Sequence, residues 1–391
     1  METARRKICI ITGTRAEWGL LETIARQLRD RKDTQLQIVA TNMHLDPRYG
    51  HTVDEIEAGG YRVDARVAMA SDDDSRTARI KAMGQCMNGM ADAFAALKPD
   101  LAVILGDRYE MLAVASAALM SGIPIAHLHG GEITNGAIDD SIRHAITKMA
   151  SLHLTSTEGH RRRVIRMGEA PDRVINTGAI GVYNAINEPV MSLTELENSL
   201  GGMKVDRRTV IVTFHAATLD PADPADRFAA LLEALDRQED VNVIMTYPNN
   251  DRQGRRLIAM IEEYAAARRG RVLAVPTLGK RRYLSALRYA GAVVGNSSSG
   301  IIEVPSAGIP TVDIGIRQQG REASEAVIHC GDSADEISGA IRLALSPEGR
   351  ERAARAANPY GGPDTLKKII DALTLTPLEA LRTKTFYDIN G

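Results

Sequence analysis

The chain alternates, along nearly its whole length, between short apolar segments and segments whose apolar residues recur three and four positions apart. The first pattern is typical of buried strands and the second of helices, such as Leu20–Leu28 and Met111–Met120. Strands that are apolar on both faces and alternate with helices form parallel sheets, so the sequence predicts an α/β fold. The candidate strands are Ile8–Thr12, Leu36–Thr41, Leu101–Leu105, Ile125–Leu128, Leu152–Thr155, Val174–Asn176, Val210–Phe214, Val243–Thr246, Val272–Val275, Ala292–Val294 and Thr311–Ile314.

A polar stretch around residues 190–207 divides this alternation into two blocks. Because 391 residues suffice for two domains of ordinary size, we predict two Rossmann-like domains with parallel sheets facing a central cleft. The N-terminal domain would comprise residues 1–185 and the C-terminal domain residues 205–364. The helical pattern at Thr365–Leu373 and the tail to residue 391 would pack back on the first domain. In such folds ligands bind at the carboxyl ends of the strands, in the cleft.

The composition narrows the class of partner. A net charge of −2 gives no basic field of the kind that attracts nucleic acids or membrane surfaces. The three cysteines lie far apart without a C-x-x-C pattern, which argues against a zinc site or a disulfide framework. No signal-peptide pattern is present, and no apolar run approaches the roughly 20 residues of a spanning helix. We therefore expect a cytoplasmic protein with no metal site and with neither nucleic acid nor membrane as a partner.

Polar residues follow the candidate strands of the first block. Arg15 comes directly after the glycine turn that ends the first strand, where an arginine is placed to meet a phosphate. Asp107 follows the third candidate strand, and His129 and Glu132 follow the fourth. Each position has a structural alternative, since an aspartate such as Asp107 also caps helices. The glycine turn is not G-x-G-x-x-G, so the dinucleotide fingerprint is absent.

The start of the next predicted helix carries two pairs of opposite charge. Asp139 with Arg143 and Asp140 with His144 each have the i,i+4 spacing that brings side chains together on a helix. These pairs either belong to a site or form exposed salt bridges worth about 0.3–0.5 kcal/mol each. The spacing alone does not choose between the two interpretations.

The most informative stretch of the second block is residues 295–303, G-N-S-S-S-G-I-I-E, between a candidate strand and a helix. Open backbone N–H groups at such a turn, with the hydroxyls of Ser297 and Ser298, suit a phosphate or pyrophosphate. Glu303, one turn further on, is placed to accept hydrogen bonds from ribose hydroxyls. The alternative is an ordinary capped loop.

Three other features of the sequence have structural explanations of their own. His215 ends the candidate strand Val210–Phe214 and, taken alone, fits a hydrogen-bonded structural histidine. The basic runs at residues 161–163 and 280–282 are expected to be solvated faces. For the second run, which precedes the serine-rich turn, contact with a nucleotide is the alternative. The accumulation of acids, histidines and arginines at the strand ends of both blocks nevertheless favours a site.

These motifs resemble those of the hydrolysing UDP-N-acetylglucosamine 2-epimerases of sialic acid and related nonulosonic acid biosynthesis. The resemblance covers essentially the whole length and rests, in this order, on G-T-R-A-E, G-D-R-Y-E, H-L-H-G-G-E, I-D-D-S-I-R-H-A-I-T-K, G-N-S-S-S-G-I-I-E and G-I-R-Q-Q-G-R-E. The fourth motif and the last two are the specific ones. The resemblance implies a GT-B-like pair of Rossmann domains, in agreement with the strand–helix alternation.

The resemblance also implies a reaction and its partners. UDP would leave C1 as the C2 proton is removed, and water and a proton would then add to the glucal, releasing N-acetylmannosamine. Because no carbon is oxidised, no cofactor is expected, and the partner would be a nucleotide sugar bound by a homodimer or homotetramer. The residues implied around the sugar are Asp107, His129, Glu132, Asp139, Arg143 and His215, and those at the nucleotide are Arg15, Asn296, Ser297, Ser298, Gly300, Glu303 and Arg317.

One position departs from the family pattern. His129 stands where the animal-type branch and the non-hydrolysing relatives carry a catalytic glutamate, and Glu132 lies three residues further on. The base is therefore either Glu132 reaching in, which is our prediction, or His129 taking part of the role. The lack of an H-V-E-A-G-L-R-T stretch favours the hydrolysing branch.

Two alternatives to UDP-N-acetylglucosamine 2-epimerisation stay open on the sequence. The first keeps the mechanism and changes the substrate to UDP- or GDP-2,4-diacetamido-2,4,6-trideoxyglucose, on the route to legionaminic acid. The second is a GT-B glycosyltransferase, which shares the fold and the nucleotide site but requires an acceptor to release UDP.

Overall fold

The computed structural model describes residues 5–69, 75–134, 137–216, 222–248 and 254–389. The chain forms two compact units. The first unit consists of Met1–Glu132, Asp139–Ile180 and Gly361–Gly391, and the second of Ile133–Ile138 and Gly181–Tyr360. The C-terminal residues from Gly361 on are therefore part of the first unit.

A parallel sheet of seven strands lies at the centre of the first unit. Its strands are β1 (Arg6–Thr12), β2 (Thr34–Thr41), β3 (Ala65–Val67), β4 (Leu101–Leu105), β5 (Ile125–Leu128), β6 (Leu152–Thr155) and β7 (Val174–Asn176). They pair in the order β3-β2-β1-β4-β5-β6-β7, with parallel neighbours. The connecting helices are α1 (Arg15–Arg29), α2 (Val53–Ala58), α3 (Arg76–Leu97), α4 (Tyr109–Met120), α5 (Asp139–Met149) and α6 (Glu158–Arg166), with 3₁₀ turns at Asn42–Leu45, Pro47–Tyr49 and Pro171–Arg173.

The second unit has a parallel sheet of six strands. They are β8 (Thr209–Thr213), β9 (Asn242–Thr246), β10 (Val272–Val275), β11 (Ala292–Gly295), β12 (Thr311–Ile314) and β13 (Val327–Cys330), in the order β10-β9-β8-β11-β12-β13. The helices from here to residue 355 are α7 (Ile180–Asn187), α8 (Leu193–Ser199), α9 (Pro224–Asp236), α10 (Gly254–Ala267), α11 (Gly279–Tyr289), α12 (Ser298–Ile302), α13 (Ala334–Leu345) and α14 (Pro347–Arg355), with a 3₁₀ turn at Val304–Ala307. The last two helices, α15 (Thr365–Leu375) and α16 (Leu378–Arg382), belong to the first unit.

The structure confirms the predicted pair of parallel-sheet α/β domains. Each candidate strand lies within an observed strand or differs from it by one residue at an end, and the expected helices lie within α1, α4 and α15. Strands β3 and β13 were not predicted. Both stand at the end of their strand order, where a short strand packs against one neighbour and needs no continuous apolar run.

Aliphatic side chains fill the interiors of both units. In the first unit, residues of β1 and β4 such as Cys9, Ile11 and Ile104 pack with Met90 of α3 and Val114 of α4. Burying each Val, Leu or Ile side chain stabilises the fold by about 1.5–3 kcal/mol. A helix long and apolar enough to cross a membrane is absent from the described residues.

In both sheets the strand order reverses at one point, between β1 and β4 in the first and between β8 and β11 in the second. Connections on the two sides of such a point run to opposite faces of the sheet, which leaves a crevice at the carboxyl ends of the strands. A site is therefore expected among the residues that follow these strands. They include Arg15 and Asp107 in the first unit and His215 and Asn296 in the second.

Candidate active site

Asp107 and Arg143 form an ion pair at the carboxyl end of β4. Asp107 follows Gly106, whose φ of +77° lets the chain turn sharply. Arg143, on α5, also donates to Asp140 Oδ1 at 3.2 Å and to the backbone oxygen of Glu132 at 2.8 Å. Only 1% of the Arg143 side chain is exposed, so it does not form an exposed salt bridge. Removing one partner from such a buried pair typically costs about 3–5 kcal/mol.

The acidic residues of α5 lie in its first turn. Asp139 is the first residue of the helix and Asp140 the second, and both are half-buried. Asp140 Oδ2 lies 3.5 Å from His144 Nε2, which is one of the two expected pairs. Burial lowers the pKa of His144. In the part of the chain that the structure describes, no three or more His, Cys, Asp and Glu side chains are grouped so that they could hold a metal ion.

His129 has a backbone conformation that residues other than glycine rarely adopt. Its φ is +66°, and a left-handed conformation of this kind costs of the order of 1–3 kcal/mol and concentrates at functional sites. His129 Nδ1 lies 2.9 Å from Glu132 Oε1, and 2% of the Glu132 side chain is exposed. The other ring nitrogen, Nε2, is buried and has no hydrogen-bond partner among the described residues. One nitrogen is thus held by a carboxylate, and the other is a buried polar atom whose hydrogen-bonding capacity the described residues do not use.

Two residues that the sequence analysis did not single out surround Glu132. Ser156 Oγ donates a hydrogen bond to Glu132 Oε1 at 2.7 Å, and His160 Nδ1 lies 2.9 Å from Ser156 Oγ. Both residues are buried. Ser156 directly follows β6, so the rule that polar residues follow the strands would have found it. His160 lies within α6, where the sequence gives no such signal.

The turn between His129 and Glu132 requires glycine at Gly131. Its φ is +80°, and a Cβ there would lie 2.6 Å from the backbone oxygen of His160. Arg163 donates to the backbone oxygen of Gly131. The expectation that the basic run containing Arg163 is a solvated face is therefore wrong for this residue, because its guanidinium satisfies a carbonyl of the turn.

His127 supports the turn that carries Asp107. Its Nε2 lies 2.7 Å from the backbone oxygen of Gly106, so this nitrogen carries a proton and donates it. Burial lowers the pKa of His127 to about 3, and the imidazole is consequently neutral at physiological pH. A neutral side chain in this place fixes the turn without adding a charge beside Asp107.

Arg15 begins α1, at the carboxyl end of β1. Its Nε lies 2.7 Å from Glu55 Oε2, and both side chains are partly exposed. Thr14 and Glu17 form a capping box, in which Glu17 Oε2 accepts hydrogen bonds from the backbone N–H groups of Gly13 and Thr14. The first turn of α1 is thereby fixed, while the Arg15 guanidinium is accessible.

In the second unit, Asn296 connects the ends of β8 and β11. Its side-chain oxygen accepts from the backbone N–H of His215 at 2.7 Å, and its amide nitrogen donates to the backbone oxygen of His215 at 2.8 Å. Both residues are buried. The Asn296 side chain thus fixes the backbone of His215 at the point where the strand order reverses.

The serine-rich turn, residues 295–303, is the capped start of a helix, which is one of the two interpretations that the sequence left open. Ser297 is the N-cap of α12, and its side chain accepts from the backbone N–H of Ser299. Ser298 is the first helical residue and is half-buried. A Cβ on Gly300 would lie 2.7 Å from Thr311 Cγ2, so Gly300 allows α12 to pack closely on β12. A capped start does not exclude an anion site, because the remaining N–H groups of the turn are still donors.

Glu303 lies at the end of α12 and is 8% exposed. A Cβ on Gly181 would overlap its carboxylate, so the side chain lies directly over the Gly181 backbone. Burial and the nearby Glu303 carboxylate raise the pKa of Tyr283, whose hydroxyl lies 2.6 Å from Ser299 Oγ. Glu303 is therefore a carboxylate in a confined and largely dry place.

Arg317 and Gln318 follow β12 and reach back to β11. Arg317 Nη1 donates to the backbone oxygen of Asn296 at 3.0 Å, and Gln318 Nε2 donates to the same oxygen at 2.8 Å. Arg317 is thereby held next to the serine-rich turn. Sequence reasoning identified Arg317 but missed Gln318, which adjoins it in the same motif.

The second basic run also differs from its expected solvated face. Lys280 Nζ lies 3.2 Å from Glu188 Oε1, and both side chains are largely buried. Arg282 Nε donates to the backbone oxygen of Leu278 at 2.9 Å. Lys280 thus links α11 to the residue after α7, and Arg282 binds a carbonyl at the start of its own helix.

The fold and the strand-end residues are together typical of enzymes that act on nucleotide-linked substrates. A family model described as UDP-N-acetylglucosamine 2-epimerase matches residues 26–374. The chain belongs to this family, which confirms the resemblance found in its motifs.

Individual relatives are similar over most of the chain. It is 39% identical over 325 residues to a GDP/UDP-N,N'-diacetylbacillosamine 2-epimerase (hydrolyzing) of Campylobacter jejuni, covering 83% of this chain and 84% of that protein. It is 34% identical over 355 residues to a polysialic acid biosynthesis protein of Escherichia coli, covering 91% and 90%. The crystal structure of UDP-GlcNAc 2-epimerase from Neisseria meningitidis bound to UDP-GlcNAc is similar with a TM-score of 0.76 at 17% identity, over 94% of this chain and 99% of that one. This last similarity shows the fold.

Proposed function

We propose that this protein is a hydrolysing 2-epimerase of UDP-activated 2-acetamido sugars. The observation that carries the proposal is the buried pair of His129 and Glu132 at the carboxyl end of β5. β5 is the neighbour of β4, and Asp107, which follows β4, forms an ion pair with Arg143 of α5. A histidine held at one nitrogen by a carboxylate is an arrangement suited to general acid–base chemistry. Family membership supports a reaction class in which such a group is needed.

In the proposed reaction, the hydrogen on C2 of the sugar leaves as a proton while the bond from C1 to the UDP oxygen breaks. The electrons of the C2–H bond form the double bond of a 2-acetamidoglucal, and those of the C1–O bond leave with UDP. Water then adds its oxygen to C1, and a proton is delivered to the opposite face of C2. Because no carbonyl adjoins C2, the reaction needs a positioned base and donors that stabilise the leaving group.

We assign the C2 proton to His129 and Glu132 acting together. Glu132 Oε1 accepts from Ser156 and faces His129 Nδ1, whereas Nε2 of the same ring has no partner among the described residues. With Nδ1–H held by Glu132, the Nε2 lone pair can take a proton, and the carboxylate stabilises the imidazolium. The alternative is the prediction from the sequence, in which Glu132 is itself the base. A His129→Asn variant distinguishes between His129 and Glu132 as the base.

The remaining candidates are assigned by their surroundings. Asp107, Asp139, Arg143 and His215 are proposed to position the sugar. Asn296 and Gly300 are proposed to shape the site without touching the nucleotide, because the Asn296 amide binds the His215 backbone and Gly300 packs on Thr311. The proposed nucleotide contacts are Arg15, Ser297, Ser298, Glu303 and Arg317.

Glu303→Ala is expected to weaken UDP binding by about 1–3 kcal/mol if the carboxylate accepts the ribose hydroxyls. Isothermal titration calorimetry with UDP measures this directly. Gly181→Ala is the matched variant, because the added methyl would displace the Glu303 side chain without removing it. Gly181→Ala should therefore also weaken UDP binding. An unchanged UDP affinity in Glu303→Ala would remove this residue from the nucleotide site.

Two substrates fit the proposal. The one predicted from the sequence motifs is UDP-N-acetylglucosamine, and the similarity to a polysialic acid biosynthesis protein supports it. The second is UDP-N,N'-diacetylbacillosamine, and the higher identity to an enzyme named for that sugar favours it. Both have the 2-acetamido group and the UDP leaving group, so the same acid–base chemistry serves either. The enzyme is proposed to act better on the diacetylated sugar.

Product formed in D₂O from each nucleotide sugar, without an acceptor, is expected to carry deuterium at C2. Elimination and hydration replace the C2 hydrogen with one from solvent, and proton NMR detects this as loss of the C2 signal. A GT-B glycosyltransferase acting as a slow hydrolase would break only the C1 bond and retain protium at C2. Protium at C2 of the released sugar would therefore contradict the epimerase proposal, and the relative rates with the two substrates identify the preferred sugar.

A further inference from the structure

The C-terminal tail crosses the last turn of α5. Lys384 Nζ lies 2.6 Å from the backbone oxygens of Lys148 and Ala150 and 2.8 Å from Glu169 Oε2. It is 3.4 Å from the backbone oxygen of Thr147. About a quarter of the Lys384 side chain is exposed (24%), so the ammonium is in a partly desolvated place.

An ammonium group fits this position for two physical reasons. The last carbonyls of a helix have no partners within the helix, and a lysine has three N–H donors to offer them. The end of the helix also carries partial negative charge, which a cation stabilises. Lys384 is therefore a cap on α5 that comes from a distant part of the chain.

The tail is fastened at further points around Lys384. The backbone N–H of Tyr387 donates to Gly168 O at 2.9 Å, and Arg173 Nη1 donates to Thr383 O at 2.9 Å. The Phe386 ring lies against Gly168, where a Cβ would overlap it. We call residues 383–387 the strap.

Glu169 is the anion at the centre of these contacts. Its Oε2 also lies 2.9 Å from His153 Nε2, and its Oε1 lies 2.5 Å from Lys148 Nζ. Although burial acts against ionisation, the hydrogen bonds from His153, Lys148 and Lys384 lower the pKa of Glu169 to about 2. Glu169 is consequently ionised at physiological pH and holds the Lys384 ammonium in place.

The helix that the strap caps carries part of the candidate active site. Arg143 lies on α5, and Thr147 Oγ1 donates to the Arg143 backbone oxygen at 2.9 Å. Lys148 follows Arg143 by five positions, about 7.5 Å along the same helix. A shift of the last turn therefore shifts Arg143 relative to Asp107 and Glu132, which come from β4 and β5.

We propose that Lys384 is a positioning residue, which sets the place of Arg143 by capping α5 from the C-terminal strap. This inference rests on the proposed function for its effect on turnover, while the effect on the helix is independent of it. Lys384 acts through α5 and does not touch the substrate.

The test compares Lys384→Met, which keeps the aliphatic stem, with Lys384→Arg, which restores a cation. Lys367→Met is the matched control, because Lys367 is an exposed lysine of α15 paired with Asp371 on its own helix. Two quantities are measured for each: kcat and KM for the nucleotide sugar, and hydrogen exchange of peptides covering residues 139–150. Arg173→Met, which removes the surface bond to Thr383 and keeps Lys384 itself, is a milder variant should Lys384→Met fold poorly.

Lys384→Met is expected to lower kcat roughly tenfold with little change in KM, since small displacements of a positioned group slow chemistry more than binding. Hydrogen exchange in α5 should become faster in the same variant. Lys384→Arg should recover most of the kcat and most of the slow exchange. Lys367→Met should resemble the unmodified protein in both measurements. Arg173→Met should change both in the same direction by less. A lower melting temperature with unchanged kcat and unchanged exchange in α5 would overturn the inference. If the unmodified protein epimerises no nucleotide sugar, the proposed function fails, and exchange in α5 still decides whether the strap positions the helix.

Discussion

Replacing Glu132 with glutamine is expected to lower kcat about a thousandfold while UDP affinity stays nearly constant. Glu132 is buried, and its Oε1 faces His129 Nδ1 at 2.9 Å and the Ser156 hydroxyl at 2.7 Å. Glutamine keeps the size of the side chain but removes the negative charge that stabilises a protonated imidazole. The measurements are the steady-state rate of UDP release and calorimetric UDP binding on the same preparation.

Ser156→Ala is the control for Glu132→Gln. It removes one hydrogen bond to Glu132 Oε1 and keeps the carboxylate, so kcat should fall by no more than about tenfold. If Glu132→Gln keeps a turnover similar to that of Ser156→Ala, the Glu132 charge has no part in the proton transfer.

His129→Asn decides which member of the pair takes the proton. Asparagine tolerates the left-handed backbone that His129 adopts, so the turn should keep its conformation without the imidazole. If His129 Nε2 is the base, this variant is as slow as Glu132→Gln. If Glu132 is itself the base, His129→Asn is clearly the faster of the two variants.

The strand–helix alternation was sufficient to predict the two sheets because their central strands are buried on both faces. Strand β3, Ala65-Arg66-Val67, has three residues and one exposed side chain, so neither of the two apolar patterns marks it. Strand β13 includes the largely exposed His329. Such strands are defined by pairing with a neighbour, which is a tertiary interaction that no local pattern encodes.

The candidate site could be predicted where a residue directly follows a strand, and less well where it acts from a helix. Asp107, His129 and Glu132 follow β4 and β5, and the sequence marks them. The hydrogen bond from Ser156 and the neighbouring His160 depend on how α6 packs, and the sequence gives no signal for that. The contacts of Arg143 with Asp107 and with the Glu132 backbone likewise depend on the register of β4 and β5 rather than on helix spacing.

Asp107→Asn is expected to lower kcat by roughly a hundredfold or more with little change in UDP affinity. Asp107 pairs with Arg143, whose guanidinium is almost fully buried and also binds Asp140 and the Glu132 backbone. Removing the Asp107 charge takes a carboxylate from the proposed sugar site and weakens the hold on a buried cation. The rate of UDP release, the UDP affinity and the melting temperature are measured together.

These two effects of Asp107→Asn can be separated by adding Arg143→Met. The double variant removes the buried cation, so the cost of a weakly paired guanidinium disappears and the melting temperature should recover in part. Turnover should not recover, because the double variant lacks both Asp107 and Arg143, which are proposed to position the sugar. If the double variant regains both stability and turnover, Asp107 serves only to neutralise Arg143, and its assignment to the sugar is wrong. If Asp107→Asn alone keeps near-normal turnover, the ion pair at the end of β4 lies outside the chemistry altogether.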